Sequence, residues 1–392
     1  MPPGCRRERS TEPSFLPLPT ARPGGKITPA YCHGKEGKMA RHPHSRSVTS
    51  RIFTVSVLSA CVAVLGILLI VSPTSAATRS APPTIATFSI VGYDPATGEL
   101  GVAVESKFFA VGSVVPWAKS EVGAIATQAF GNTTYGPRGL ELLSLGLKPE
   151  QVVELLTSTD EDGERRQVGI VDAAGNSATY TGKSCNAWAG GRTGKNYTAQ
   201  GNILVGEQVV DAMCKAFEET PGDLSERLWA ALDAGQKAGG DSRGRQSAAL
   251  LVVKKGGGYA GFNDRYIDLR VDDHPEPIKE LGRLLKIQHA MSKLNEASAL
   301  YREKKYAEAV EAARQAVVYK PDYGDVHYDL ACYLSLAGDV DNSLKSLKTA
   351  LKLSPRLLSL AEKDSDLNNA RSDPRYKQIM ASAAKSQKTK RR

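Results

Sequence analysis

Residues 87–271 repeat a strand–turn–strand pattern that restricts this part of the chain to antiparallel sheets. The stretches ATFSIVGYD and LGVAVES flank the turn DPATGE, as in a β-hairpin. A second hairpin is predicted in RQVGIVD-AAGN-SATYTG and a third in SAALLVV-KKGGG-YAGF, with VGAIATQAF and RYIDLRVDD as further strands. Between them lie the helical segments PRGLELLSLG, KPEQVVELLTS, ILVGEQVVDAMCKAFEE and LSERLWAALDAGQKA. Hairpins that bracket helices predict one α+β domain over residues 87–285 with helices packed outside its sheets.

From about Pro277 onward the pattern is helical throughout. Three pairs of residues recur thirty-four positions apart, namely Pro321 and Pro355, Ala316 and Ala350, and Ala297 and Ala331. This is the period of a tetratricopeptide helix pair, which predicts tetratricopeptide-like repeats over residues 286–382 and a surface for a protein partner. A generic helical hairpin is the alternative. Residues 383–392 form a basic tail.

The segment RIFTVSVLSACVAVLGILLIVSPTSAATRS has the layout of an export signal. A basic flank precedes the apolar run 52–71, and Ser75-Ala76-Ala77 gives a small-x-small cleavage pattern. Residues 1–77 are therefore predicted to be an N-terminal extension and signal peptide, with Met39 as an alternative start, or a retained signal anchor. Residues 78–86 would be a linker or propeptide. Either way, residues 78–392 are expected to be exported, to a periplasmic, extracellular or outer membrane-face location.

The net charge of +9 is concentrated outside the predicted domains. Residues 1–77 carry ten Lys/Arg and three Asp/Glu, a net +7, and the last eight residues carry five positive charges. Nucleic-acid binding needs basic residues clustered on a folded face, so no nucleic-acid partner is expected. A membrane is expected to be a partner only through an uncleaved N-terminal segment.

Three cysteines lie beyond the signal segment: Cys185, Cys214 and Cys332. In an oxidising compartment Cys185 and Cys214 could pair, but three small, reduced, buried side chains are the alternative. No Cys-x-x-Cys or His-rich spacing indicates a metal site, and no cofactor is expected.

Histidine is scarce in the exported part, which turns attention to nucleophiles that do not need it. His274 could complete a Ser-His-Asp arrangement but lacks a GxSxG elbow, so a turn role before Pro275 is the alternative. A threonine at a chain terminus can use its own α-amine as the base. Thr87 begins a predicted strand, and Ser89, two residues on, faces the same side. Across the hairpin, VAVESK brings Glu105 and Lys107 to a strand end, where Lys107 is either catalytic or a solvated surface residue.

The stretches TFSIVGYDPATGELGVAVESKFFAVGSVVPWA, GAIATQAFGNTTYGPRGLELL, TGKSCNAWAGGRTGKNYTAQGNIL and GGDSRGRQSAALLVV resemble, in order, the family named domain of unknown function 1028. That family is similar to N-terminal nucleophile hydrolases, which implies a four-layer αββα sandwich. VAVESK also resembles a stretch of proteasome subunits, which implies Glu105 and Lys107 near the nucleophile Thr87, with Lys119 as a looser match to a further lysine. This chain departs from the family in carrying residues ahead of Thr87, so Ala86–Thr87 must be cut to free its amine.

The remaining stretches of the resemblance supply weaker candidates. Asn202 could donate to an oxyanion. Asp241, Arg243 and Arg245 in GGDSRGRQS could orient a polar substrate, since arginine forks suit carboxylates, or could pair with one another. Trp188 and the glycines after it would form a flexible pocket wall.

Two functions fit these observations. The first is an exported amide or peptide hydrolase that uses Thr87, with the helical repeats binding a protein or presenting substrate. The second is a catalytically silent binding scaffold with the same fold. The sequence names no substrate.

The signal segment predicts how the exported chain begins. Its N-terminus should lie near Ala77 or Thr78, or the chain should stay anchored through residues 52–71. Mass spectrometry of the N-terminal peptide from membrane and exported fractions measures this. Full-length protein confined to the cytosolic fraction would contradict it.

Overall fold

The computed structural model describes residues 87–390, and side chains as far as residue 386. The predicted signal segment, the linker 78–86 and the end of the basic tail lie outside the described residues. Ten strands are numbered β1 to β10 in chain order: Thr87–Asp94, Glu99–Ser106, Pro116–Lys119, Gly123–Ala129, Arg166–Asp172, Ser177–Thr181, Gly190–Gly194, Tyr197–Asn202, Ser247–Val253 and Arg265–Val271.

The strands form two antiparallel sheets. One has six strands in the order β10-β9-β2-β1-β8-β7, and the other has four in the order β3-β4-β5-β6. Strand β1 lies inside the larger sheet, between β2 and β8. It pairs with β2 in the register Thr87 to Ser106 and with β8 in the register Thr87 to Asn202.

Eleven α-helices occur among the described residues, numbered α1 to α11: Tyr135–Ser144, Pro149–Ser158, Gln208–Glu219, Leu224–Lys237, Pro277–Arg302, Tyr306–Tyr319, Gly324–Leu336, Val340–Leu353, Leu358–Ala361, Asn368–Arg371 and Pro374–Lys390. Helices α3, α4 and the start of α5 cover one face of the six-stranded sheet. Alternate residues such as Val91 and Val104 meet Ala124 of the smaller sheet. Helices α1 and α2 cover the outer face of the four-stranded sheet. The mixed α/β architecture and its two antiparallel sheets agree with the α+β prediction.

Three local predictions are wrong. The third hairpin does not return through YAGF, because β9 pairs with Arg265–Val271. Residues 259–261 instead form one 3₁₀ turn, with Ala260 and Gly261 at φ 51° and 77°, which an extended strand cannot accommodate. The glycines after Trp188 form strand β7, paired with the unpredicted strand β8, instead of a flexible wall. Helix α3 begins at Gln208, five residues after the predicted start.

The chain after β10 consists of helices that pack into two shared cores. Helices α5 and α6 share one core with α7, and α7 and α8 share another with α11. The predicted boundary at 285/286 falls inside α5, whose first turns belong to the core of the sheet domain. The three cysteines Cys185, Cys214 and Cys332 are free, so the Cys185–Cys214 pairing is absent from this structure.

Within residues 87–390, no helix combines the length and the apolar character needed to cross a membrane. The predicted apolar run 52–71 is outside that range.

Helix α5 sets where the chain can be divided. Ile278, Leu281 and Leu285 are at most 4% exposed against the sheet domain, and burying each stabilises by roughly 1.5–3 kcal/mol. A chain ending after Lys286 should keep a cooperative thermal unfolding transition, whereas one ending after Glu276 should lose it. Differential scanning calorimetry on both truncations measures this. A broad, non-cooperative melt of the longer truncation would show that the sheet domain depends on the helices after it.

Candidate active site

Four fully buried polar side chains form a row across four neighbouring strands at one end of the six-stranded sheet. They are Asn202, Thr87, Ser106 and Ser247, on β8, β1, β2 and β9. Cross-strand partners point to the same face, here the one that meets the four-stranded sheet. The Thr87 hydroxyl donates to Ser106 Oγ at 3.1 Å. The row therefore places the Ser106 hydroxyl and the Asn202 amide on either side of the first residue of β1, with Ser247 one strand further away.

Side-chain amides from both sheets form a hydrogen-bond network next to this row. Gln128 of β4 donates to the Thr87 carbonyl at 3.3 Å and to Gln167 Oε1 at 2.8 Å. Ser89 donates to Gln128 Oε1 at 2.6 Å, so Ser89 lies on the Thr87 face, as the alternation predicts. Gln200 donates to Ser89 Oγ at 2.6 Å. All of these side chains are fully buried, so the network fixes the start of β1 against the second sheet.

The orientation of the Asn202 amide follows from its neighbour. Gln167 Nε2 donates to the carbonyls of Gly201 and Gly190, at 2.8 and 3.2 Å, and carbonyls only accept. Gln167 Oε1 must therefore face the other way, where it accepts from Asn202 Nδ2 at 3.0 Å. This leaves Asn202 Oδ1 buried without a hydrogen-bond partner among the described residues. Asn202 thus presents an acceptor directly across from Thr87.

Glu105 lies on the opposite face of the sheet from the Thr87 hydroxyl. It pairs with Phe88 and Ala248, both of which belong to the core under α3 and α4. Its side chain is fully buried, and neither carboxylate oxygen makes a hydrogen bond of ordinary geometry in the described part of the chain. Burial, and then the Asp241 charge, raises the pKa of Glu105 well above its ordinary value, while Arg245 and Arg243 lower it by less. A carboxyl in this setting favours its protonated form.

The loop before β9 gathers three of the other predicted residues around Lys107. Asp241 accepts the Lys107 backbone N–H at 3.1 Å and the Arg243 guanidinium at 2.9 Å. The exposed Lys107 donates its Nζ to the Arg245 carbonyl at 3.2 Å. Arg245 also pairs with Glu276 at 2.5 Å. The structure thus brings Lys107 to this loop, and the charged residues of the loop partly pair with one another.

A strained residue holds this loop beside the row. Ile203, immediately after Asn202, has φ 55°, which is costly for a β-branched side chain. Its carbonyl accepts from Ser242 N and Oγ, at 3.0 and 2.8 Å, and Leu204 bridges to Asp241. Strained backbone of this kind clusters at functional sites.

Three predicted residues lie apart from Thr87. Trp188 is half-buried against the core on the helix side of the larger sheet. Lys119 donates to Ser144 of α1 at 3.3 Å, and its pairing with Gly123 puts it at the far end of β4 from Gln128. His274 accepts the Glu276 N–H at 3.0 Å, the turn role given as the alternative.

Sequence reasoning missed five members of the site: Ser106, Ser247, Gln128, Gln167 and Gln200. Ser106 could have been found, because alternation along VAVESK puts Ser106 on the face opposite to Glu105 and Lys107. The glutamines sit in apolar strands and carry no local signal of a network. Within residues 87–390, no group of three or more His, Cys, Asp or Glu residues is placed to hold a metal ion.

Comparison with known proteins places the sheet domain in a family. Residues 87–281 match the model of a family of unknown function, DUF1028, and the match begins at Thr87. Residues 87–281 belong to the DUF1028 family. The chain is also similar to a protein of known crystal structure, SPO2555 from Silicibacter pomeroyi, described with the same family; the two are 34% identical, with a TM-score of 0.48, over 51% of this chain and 85% of that one. No curated protein matches the sequence.

Burial of Glu105 in the DUF1028 domain should make stability fall as pH rises. The pKa of Glu105 is raised in the folded state. At a pH between its unfolded-state pKa of 4.5 and its folded-state pKa, the native state therefore binds one more proton than the unfolded state. Ionisation then costs up to about 1.4 kcal/mol per pH unit in that window. Glu105→Gln should lose that pH dependence and gain stability relative to wild type as pH rises from 5 to 8.

Urea unfolding of both proteins at each pH measures this. Glu141→Gln, at an exposed glutamate, is the matched control. A wild-type stability that rises from pH 5 to 8 in parallel with the variant would show that Glu105 is ionised in the fold.

Proposed function

We propose that residues 87–285 are an amide or peptide hydrolase whose nucleophile is Thr87, made N-terminal by cleavage of Ala86–Thr87. The observation that carries the proposal is the buried row, in which the Thr87 hydroxyl and Ser106 Oγ are 3.1 Å apart. Thr87 is also the first residue of an interior strand and of the DUF1028 match. Two antiparallel sheets between helical layers are compatible with an N-terminal nucleophile hydrolase sandwich.

The row suits the chemistry of such a hydrolase. The free α-amine of Thr87 takes the hydroxyl proton as Oγ1 attacks the substrate carbonyl, and then gives that proton to the leaving amine as the C–N bond breaks. Water, deprotonated by the same amine, cleaves the resulting ester and restores the hydroxyl. Ser106 orients the attacking oxygen through its hydrogen bond with Thr87.

Asn202 takes a different role from the predicted oxyanion donor. One Nδ2 hydrogen is committed to Gln167, whereas Oδ1 is buried and available. An acceptor at this place suits an N–H group, so we assign Asn202 Oδ1 to the Thr87 α-amine or to a substrate N–H. Lys107 and Arg245 then bind charged groups of the substrate at the edge of the loop, where Lys107 is exposed.

The other parts of the chain fit the same proposal. Residues 1–77 would direct export, residues 78–86 would block the α-amine until removed, and the helices after residue 286 would form a tetratricopeptide-like platform for a protein partner. The alternative function is a silent binding scaffold. It is favoured by the contact of Lys107, whose amine donates to the Arg245 backbone carbonyl.

An epoxyketone peptide probe tests the nucleophile without knowledge of the substrate. The Thr87 hydroxyl adds to its ketone and the α-amine opens its epoxide, so the whole probe is retained in a ring that needs both groups. A chain released to begin at Thr87 should gain one probe mass at Thr87. Intact and peptide mass spectrometry measure this.

Three variants make the result specific. Thr87→Ala should not be labelled. Its free energy of unfolding should be lower by about 1–3 kcal/mol, since Ser106 loses a buried hydrogen-bond partner. Thr87→Ser should keep part of the labelling. A chain that retains Ala86 should stay unlabelled, because its nitrogen is an amide. Equal labelling with and without Ala86 would exclude the N-terminal mechanism, and no labelling of the folded Thr87 chain would favour the scaffold.

A further inference from the structure

A cavity lies where the DUF1028 domain meets the helices that follow it. Its volume is about 310 Å³, at the lower end of the range for small-molecule sites. Its wall combines side chains of α4, namely Glu226 and Trp229, with Leu285, Lys286 and His289 of α5 and with Tyr319 of α6. None of these residues belongs to the row around Thr87.

Close helix packing makes the cavity a fixed part of the junction. Trp229 donates its Nε1 to the Ile278 carbonyl at 3.0 Å. A Cβ at Gly282 would lie 2.7 Å from the Trp229 ring, so only glycine lets α5 pass this close to α4. The cavity walls are therefore held by contacts that do not involve a ligand.

Three aromatic rings line the cavity. His289 is 5% exposed and stacks on Tyr319 with ring centroids 4.8 Å apart, and Trp229 contributes the third ring. Glu226 and Tyr319 line the same cavity. Burial raises the pKa of the Tyr319 phenol, and the Glu226 and Asp223 charges raise it further.

Two opposite charges line the same cavity without pairing. Glu226 comes from α4 and Lys286 from α5, and no ion pair of 4 Å or less joins these two in the described structure. Glu226 Oε1 lies 4.0 Å from His289 Nε2. Glu226 accepts the Asp223 N–H at 3.3 Å within a capping box, which fixes its carboxylate. Lys286 is exposed. A ligand between them would meet an anion, a cation and an apolar wall.

We propose that this cavity binds a free amino acid with an aromatic or large aliphatic side chain. The α-ammonium pairs with Glu226, the α-carboxylate pairs with Lys286, and the side chain packs among Trp229, His289 and Tyr319. Charge-assisted hydrogen bonds fix both ends, and burial of the side chain supplies the apolar contact. The ligand would bridge the DUF1028 domain and the helices after it, independently of any reaction at Thr87.

Isothermal titration calorimetry of the full chain with three probes tests each contact. The probes are L-phenylalanine, 2-phenylethylamine, which lacks the carboxylate, and 3-phenylpropanoate, which lacks the ammonium. L-Phenylalanine should bind at least about tenfold tighter than either, because each analogue loses one charge-assisted contact. Glu226→Gln should weaken L-phenylalanine and 2-phenylethylamine but not 3-phenylpropanoate. Lys286→Met should weaken L-phenylalanine and 3-phenylpropanoate but not 2-phenylethylamine.

The variants are chosen to leave the fold intact. Glutamine at 226 still caps α4, and Lys286 is on the surface. Glu121→Gln and Lys255→Met, at an exposed ion pair between the β3–β4 and β9–β10 turns, make the same charge changes and should alter nothing. The proposal is overturned if L-phenylalanine binds no better than its analogues, or if the two variants affect all probes alike. In L-phenylalanyl-glycine the carboxylate lies one residue further from the ammonium. If this dipeptide binds as tightly as L-phenylalanine, the ligand is the N-terminus of a peptide and not a free amino acid.

Discussion

The pairing register of β1 is the constraint on which the site depends. With Thr87 opposite both Ser106 and Asn202, the alternation of side chains fixes which groups share its face. A shift of one residue would bring Phe88 to the polar face and Thr87 under the helices. The apolar side chains on both faces prevent this shift, since Phe88 belongs to one core and Val91 to the other. The core on each side of β1 thus determines the position of the polar row.

A buried polar layer between two sheets is costly unless its groups are paired. Here the glutamines meet this requirement by bonding to one another and to backbone carbonyls. Within that layer the exception is Asn202 Oδ1, which is buried without a hydrogen-bond partner among the described residues and can accept from an N–H donor. On the opposite face of the larger sheet, the carboxylate oxygens of Glu105 also lack a hydrogen bond of ordinary geometry in the described part of the chain. The α-amine in the proposed mechanism is such an N–H donor, and a protonated Glu105 supplies its own proton.

The sequence predicted the strands in which buried side chains alternate strictly between the two faces. It did not predict which distant strands pair with one another. TFSIVGYD and ELGVAVES were predicted as a hairpin because a short turn joins them and alternate residues are buried on either face. Strands β7 and β8 were missed because their glycines and polar residues resemble a loop, although Gly191 permits close approach to Thr179. Glu105 and Lys107 were placed beside Thr87 on family resemblance, whereas the register puts Ser106 there. The contact of Gln128 with Thr87 joins residues 41 positions apart and leaves no local pattern.

Helix α4 connects the two candidate sites. Gly235, near its C-terminal end, lies against Phe88 of β1, and Trp229 lines the junction cavity six residues earlier, about 9 Å along the helix. A ligand in the cavity stabilises the docked arrangement of α4 and α5 by an amount set by its concentration and Kd. It would change the reaction at Thr87 only if it shifted α4 between two arrangements. Because Phe88 and Gly235 are closely packed in a fully buried core, such a shift would be costly. The expected effect of the ligand is therefore greater stability of the junction, with the chemistry at Thr87 unchanged.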